Sequence, residues 1–306
     1  MKKCLIIYNP HSGRNEVKKH LIEIEKILNK KNYETEIIAT KYKGHAIEIV
    51  ANTPQVDLIM SFGGDGTFNE VMTGNFQRKD HLLLTHIPVG TTNDIGAMLG
   101  YNKNLLDNVK LSLNGVIKEF DIGLINEHPF IYVAGFGKYT NISYETPREL
   151  KKQLGHLAYI KEAVAAFFSK TKLYDLTYEI DGEQYRGLFS LVLISNANHI
   201  GGIKNIYKDV KLDDDLLEVV FCTIKKRKDI IKSLYFLTLN GPSQVPGIYF
   251  YRTNNIKIQI NDNDYKDWCI DGEKLETDPQ DKYDIKVANK VKVLVPKKNT
   301  NKLFNK

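Results

Sequence analysis

The stretch Ser61-Phe62-Gly63-Gly64-Asp65-Gly66-Thr67-Phe68-Asn69-Glu70 sets three glycines around one aspartate, directly after the apolar run Asp57-Leu58-Ile59-Met60. Glycines at a strand-to-helix corner let the backbone approach a bulky anion and aim N–H groups at it. An aspartate inside such a corner repels phosphate unless a metal ion or ribose hydroxyls lie between them. The chemistry this points to is nucleotide-phosphate binding. Thr67 and Glu70 also have capping-box spacing, which predicts that the pair opens the following helix.

Three further groups of carboxylates stand out. Asp94 closes the loop Pro88-Val89-Gly90-Thr91-Thr92-Asn93-Asp94, Asp213-Asp214-Asp215 precedes an apolar run, and Asp271-Gly272-Glu273 follows Trp268-Cys269-Ile270. Each has a plain structural reading: a helix cap for Asp94, a solvated turn for the aspartate run, a hairpin turn for Asp271-Gly272. Scattered single carboxylates suit Mg²⁺, which binds through one or two of them plus waters and phosphate oxygens. No His/Cys pair has the spacing of zinc ligands, which argues against a zinc site.

The elements that must position these residues follow from hydrophobic pattern. Cys4 to Tyr8, Tyr33 to Ala39, Asp57 to Ser61 and His81 to Ile87 read as strands. Val17, Leu21, Ile24 and Leu28 recur at helical spacing, and helices are predicted at His45 to Ala51 and from the glycine corner to about Met72. Strand, loop and helix repeat through this region, the signature of a doubly wound parallel sheet. Ligands bind such sheets at the carboxyl ends of the strands. The loops Asn9 to Arg14, Gly63 to Thr67 and Gly90 to Asp94 therefore share one rim.

Beyond about residue 122 the pattern changes to short strands with turn pairs such as Asp181-Gly182: Phe130 to Val133, Leu173 to Ile180, Leu188 to Asn196, Leu216 to Thr223, Ile256 to Ile260 and Tyr265 to Ile270. Helical stretches interrupt them at about 148–169 and 226–239. The expected architecture is α/β: an N-terminal doubly wound domain over 1–122 and a mainly antiparallel, β-rich domain over 123–282. Residues 283–296 are open to rejoining the first domain, and Val291 to Val295 is a strand able to pair with either. The charged tail, 297–306, is expected to fray.

At 306 residues, 42% hydrophobic and 26% charged, the chain has the composition of an ordinary globular protein of about two domains. No apolar run approaches the ~18 residues that span a bilayer, so a cytoplasmic protein is expected. Cys4, Cys222 and Cys269 are odd in number and far apart, as in a reducing compartment. The net charge of +6 suits a phosphorylated ligand or an anionic membrane. Lys225-Lys226-Arg227-Lys228 and Lys297-Lys298 lack interleaved aromatics, so no nucleic-acid partner is expected.

Taken together, Asn9-Pro10-x-Ser12-Gly13, Gly63-Gly64-Asp65-Gly66-Thr67-x-Asn69-Glu70, Pro88-x-Gly90-Thr91-x-Asn93-Asp94 and Asp271-Gly272-Glu273 resemble the diacylglycerol kinase catalytic domain. Ser143-Tyr144-Glu145-Thr146-Pro147 and Lys211-Leu212-Asp213-Asp214 further resemble the soluble bacterial diacylglycerol kinases. The resemblance implies a Mg²⁺-dependent lipid kinase that moves the γ-phosphoryl of ATP to the hydroxyl of diacylglycerol or a related lipid. It places the active site in the cleft between the two domains, with ATP against Asn9, Pro10, His11, Ser12, Gly13, Arg14, Thr40, Gly63, Gly64, Asp65, Gly66, Thr67, Phe68, Asn69, Thr91 or Thr92, and Lys161. It assigns the metal to Asp214 and the backbone oxygens of Lys211 and Leu216, with Asp65 and Asp94 joined through water. Glu273 stands at the proton-acceptor position, and Asp271, the other carboxylate of that turn, is placed beside it as a second catalytic residue.

The chain departs from the family pattern in three places. Asp215 stands where glycine is usual, Gly201-Gly202-Ile203 replaces a glycine triplet with Tyr207 near the expected proline, and Ile95 stands where phenylalanine is common. Two readings remain beside the lipid kinase. An NAD kinase shares the glycine corner, and an impaired ATP- or lipid-sensing regulator would account for the altered aspartate run. A lipid kinase must also meet its substrate at a surface. The apolar helix Leu154 to Phe168 reads first as packing inside the second domain, and part of its face, with nearby lysines, is the candidate peripheral contact with anionic membrane; the bacterial relatives imply a homodimer.

Overall fold

The computed structural model describes residues 1–91, 93–137, 172–197, 199–200, 203–204, 207, 209–224, 229, 245–262, 268–275 and 280–305. The chain divides into two compact units: Met1–Asp121 with Lys211–Asp214 and Asn289–Lys306, and Ile122–Val210 with Asp215–Ala288.

In the first unit, β1 (Lys2–Tyr8), β2 (Tyr33–Ala39), β3 (Leu58–Gly63), β4 (Leu84–Pro88), β5 (Val116–Phe120) and, late in the chain, β20 (Val291–Val295) form one sheet in the order β2-β1-β3-β4-β20-β5. The first four run parallel, as does β20 beside β4, and β5 closes the edge antiparallel to β20. Every residue of β3 is buried, as expected of a central parallel strand covered on both faces. Helices α1 (Glu16–Lys19), α2 (Leu21–Asn29), α3 (His45–Asn52), α4 (Asp65–Phe76), α5 (Asp94–Leu99) and α6 (Leu105–Leu113) connect the strands. Ile24 and Leu28 of α2 and Val109 of α6 share a core with Ile6, Met60, Phe62 and Ile87. From β1 the chain steps outward to β2 and then back across to β3. The loops after β1 and β3 thus flank the point where the strand order reverses, the usual ligand position in an open α/β sheet.

The second unit holds β6 (Gly123–Ile125), β7 (His128–Phe130), β8 (Val133–Gly137), β9 (Tyr174–Ile180), β10 (Glu183–Phe189), β11 (Leu191–Ser195), the short β12 (His199–Ile200) and β13 (Ile203–Lys204), β14 (Leu217–Cys222), β15 (Ile248–Thr253), β16 (Asn255–Ile260), β17 (Trp268–Ile270), β18 (Glu273–Leu275) and β19 (Lys282–Val287). Two six-stranded sheets result, β10-β9-β16-β19-β6-β7 and β15-β14-β11-β8-β17-β18, with β12 paired to β13 apart from them. Tyr178, Ile258 and Tyr283 from one sheet and Phe136, Phe221 and Trp268 from the other meet in a single core, which makes the unit a sandwich.

Several expectations are corrected. The strand expected from Phe130 to Val133 is broken, because Ile131 and Tyr132 give their N–H groups to the Asp271 side chain instead of a neighbouring strand. The tail does not fray. Leu303 and Phe304 are buried, Lys211 Nζ donates to the carbonyls of Asn301, Lys302 and Phe304, and Asp213 accepts from the Asn305 N–H at 2.8 Å. β5 and α6 were not foreseen, although Asn104 caps α6 by accepting from the Asp107 N–H. The helical stretches expected at 148–169 and 226–239 lie outside the described residues but for Asp229, as does 143–147. Among the described residues no helix is long and apolar enough to cross a membrane.

Candidate active site

Three rim loops of the first unit are tied together by their backbones. The Asn9 N–H donates to the Phe62 carbonyl at 3.0 Å, and the Val89 N–H to the Gly63 carbonyl at 2.7 Å. A Cβ on Gly13, at φ +59, would lie 2.9 Å from the Val89 carbonyl oxygen, and one on Gly90 would lie 2.6 Å from the Gly64 Cα. Only glycine permits such approaches, so glycines at these corners bring three loops into one surface. Asn9 folds its own loop as well, accepting the His11 N–H at 2.9 Å. Thr40 joins the rim through its N–H to the Tyr8 carbonyl at 2.9 Å.

Asp65 is the first residue of α4, and its carboxylate accepts the N–H groups of Asp94 at 2.9 Å and Ile95 at 3.3 Å. The corner's aspartate therefore faces the positive end of α5 while standing at the positive end of its own helix. Asp94 is buried as the first residue of α5 and does not cap it. Asn93, at φ 54, holds that place and exchanges two side-chain hydrogen bonds with Gly90. The capping box expected from Thr67 and Glu70 is corrected too: Gly64 is the N-cap of α4, and Glu70 accepts from Gly44 and Ala46 of another helix.

The remaining nucleotide candidates differ in what they present. Pro10 and Ser12 are half-buried, His11 and Thr91 are exposed, and Gly66 and Asn69 are half-buried on the first turns of α4. The Thr67 side chain lies against Gly63. Phe68 has a fully buried ring stacked on His86 at 4.8 Å, and its N–H goes to the Gly64 carbonyl, so it supports the corner from beneath. Burial pushes the His86 pKa down to about 3, and its Nδ1 lies 2.9 Å from Ser61 Oγ. Arg14 lies in the 3-10 turn Gly13–Asn15, but its side chain is outside the described set, as are Thr92 and Lys161.

In the second unit the two carboxylates of the acidic turn separate cleanly. Asp271 is 3% exposed and accepts the N–H groups of Ile131 at 2.6 Å and of Tyr132 and Val133 at 3.0 Å each. It is an anchor for the bend between β7 and β8. With Asp271 at φ 49 and Gly272 at φ 86, the turn is the left-handed kind that asparagine or aspartate followed by glycine favours. Glu273 begins β18, opposite Ile270, and is half-buried.

Asp215 sits at φ 61, the left-handed backbone that glycine adopts freely and that aspartate tolerates. The departure from glycine thus leaves the backbone path of this bend intact. The carbonyls of Leu212 and Asp213 are taken by the Asp121 N–H at 2.7 Å and Lys290 Nζ at 2.8 Å. Among the described residues no three His, Cys, Asp or Glu side chains stand close enough to hold a metal ion. An oxygen-only set of one carboxylate and backbone carbonyls fits a hydrated Mg²⁺.

Against known proteins, residues 3–125 match the family described as the diacylglycerol kinase catalytic domain, and residues 134–294 match the YegS C-terminal NAD kinase beta sandwich-like domain. The chain is 32% identical over 265 residues to a diacylglycerol kinase of Bacillus subtilis (strain 168), covering 86% of this chain and 87% of that protein. A diacylglycerol kinase of Staphylococcus haemolyticus (strain JCSC1435) is 36% identical over 264 residues, covering 84% of this chain and 79% of that one. The fold is similar to the crystal structure of a diacylglycerol kinase from Bacillus anthracis str. Sterne, with a TM-score of 0.75 over 96% of this chain and 97% of that one at 24% identity.

Proposed function

The chain belongs to the diacylglycerol kinase family and is a kinase, and from that premise we propose that it transfers the γ-phosphoryl group of ATP to the hydroxyl of diacylglycerol or a related lipid, with Mg²⁺. The observation that carries this reading is the knitting of the Asn9, Gly63 and Gly90 loops around Asp65 at the strand-order reversal.

Phosphoryl transfer asks a protein mainly to position its reactants and to neutralise spread negative charge. The N-terminal N–H groups of α4 suit the triphosphate, with Arg14 and Lys161 as the cations beside it. Mg²⁺ would be held by Asp214 and the carbonyl oxygens of Lys211 and Leu216, with Asp65 and Asp94 reaching it through water, and would supply further neutralisation of phosphate charge. The second unit supplies Glu273 as acceptor of the lipid hydroxyl's proton. Asp271 is a positioning residue in this reading, since its carboxylate is committed to three backbone N–H groups.

One assay tests the assignment. Incubation with γ-labelled ATP and a panel of diacylglycerol, sphingosine, ceramide and NAD is expected to label diacylglycerol or one related lipid. Label in NAD alone would make the chain an NAD kinase, and label in none would leave a nucleotide or lipid sensor. The lipid hydroxyl lies at a bilayer surface, so cytoplasmic residence with peripheral contact on anionic membrane belongs to the same proposal, with the segment 154–168 as the contact. Equal sedimentation with neutral and anionic vesicles would count against it. A homodimer is proposed from the family alone, and light scattering that gives a monomer at every concentration would remove it.

A further inference from the structure

Glu70 belongs to the glycine-corner motif, yet its carboxylate serves a different helix. It accepts the N–H groups of Gly44 at 2.9 Å and Ala46 at 3.3 Å, at the N-terminus of α3. At the other end of α3, Arg78 Nη1 donates to the carbonyls of Val50 at 2.9 Å and Thr53 at 2.6 Å. Arg78 lies just beyond the end of α4, so one helix and its exit hold both ends of another. The charges match the helix dipole, a carboxylate at the positive end and a guanidinium at the negative end. Between these contacts Gly74 lets the helices touch: a Cβ there would lie 2.6 Å from the Ile47 carbonyl oxygen and 2.9 Å from Val50 Cβ.

The segment just ahead of α3 is Thr40–Gly44. Thr40 is tied to the end of β1, the Lys41 N–H donates to His45 Nδ1 at 3.2 Å, and Gly44 turns at φ 87 into the helix. Glu70 of α4 reaches this turn with both carboxylate oxygens, one on the Gly44 N–H and the other on the Ala46 N–H. We propose that Glu70 is a positioning residue of the nucleotide site: it fixes the Thr40–Gly44 segment to the helix that starts at the glycine corner, so that Thr40 and Gly63–Asp65 meet the nucleotide as one surface. The inference rests on the nucleotide reading of that rim. It assigns the motif's second carboxylate a task distinct from that of Asp65: Asp65 caps α5 after the Gly90 loop, and Glu70 caps α3 after the Thr40 loop.

Calorimetric titration of Mg·ATP into the full chain tests this, with wild type, Glu70→Gln, Glu70→Ala and Arg78→Ala compared, and thermal melts run alongside. Glutamine keeps one acceptor for Gly44 but offers an amide donor to Ala46, so affinity falls a few-fold. Alanine loses both acceptors and weakens binding about tenfold. Arg78→Ala lowers the melting temperature yet keeps Mg·ATP affinity within about twofold of wild type, because it frees the far end of α3. Wild-type affinity in Glu70→Ala, or equal weakening in Arg78→Ala, overturns the inference while leaving the nucleotide reading intact. Absence of Mg·ATP binding by the wild type removes the nucleotide reading itself, and this inference with it.

Discussion

The carboxylate of Asp65 accepts the backbone N–H of Asp94 at 2.9 Å, so the aspartate of the glycine corner also caps the helix that follows the next rim loop. One side chain thereby links the ends of β3 and β4. Substitution of Asp65 separates this capping role from the nucleotide role proposed for the same carboxylate.

Asp65→Ala removes both cap acceptors and is expected to cost about 1–2 kcal/mol of stability, whereas Asp65→Asn keeps an oxygen for one N–H and costs less than half of that. Both remove the charge, so both should weaken Mg·ATP binding on the order of tenfold or more. Calorimetry and thermal melts read the two effects separately. An Asp65→Asn protein with undiminished affinity would confine Asp65 to capping.

Asp271→Ala leaves the N–H groups of Ile131, Tyr132 and Val133 without their acceptor. At about 1–3 kcal/mol for each buried group left unsatisfied, the loss should reach at least about 3 kcal/mol in denaturant unfolding. A loss below about 1 kcal/mol would mean the bend relaxes to water and that Asp271 is no anchor.

His86 is buried and neutral, with its pKa lowered from 6.5 to about 3. The unfolded chain therefore binds more protons than the folded one between those values, so stability rises with pH through that window and is lost as pH falls from 6.5 towards 3. The contribution approaches ~1.4 kcal/mol per pH unit at its steepest. His86→Gln should flatten the stability profile below pH 6.5, and an unchanged slope would place the acid sensitivity elsewhere.

Asp215 holds φ 61, in the left-handed region that glycine adopts freely. Asp215→Gly should stay within about 0.5 kcal/mol of wild type, while the β-branched Asp215→Val should lose ~1–2 kcal/mol or more, since a left-handed residue with that side chain is strained. Equal stability in the two variants would show that the bend does not need this backbone conformation.

The sequence made some of this legible and hid the rest for a physical reason. Glycine spacing announces a corner because backbone geometry is local, and the loops after β1, β3 and β4 read correctly for that reason. The partners of the carboxylates are not local. Asp65 reaches Asp94, Glu70 reaches Gly44, and Asp271 reaches Ile131 across 140 residues, contacts that exist only once the sheet has formed. Thr67 and Glu70 misled because the spacing of a capping box is met by chance when the glutamate has a better pair of N–H groups elsewhere. The tail misled because its lysines and asparagines outnumber Leu303 and Phe304, the residues that fix it, and Phe304 stacks edge-on against Phe120 at 5.1 Å.

In the proposed mechanism the first unit binds the nucleotide and Glu273 of the second takes the proton. Single-turnover transfer from γ-labelled Mg·ATP to diacylglycerol in mixed micelles, run on wild type and Glu273→Gln, tests it most directly. Glu273→Gln is expected to bind Mg·ATP as the wild type does and to transfer the phosphoryl group ~10²–10⁴-fold more slowly. Transfer at the wild-type rate in that variant would contradict the account.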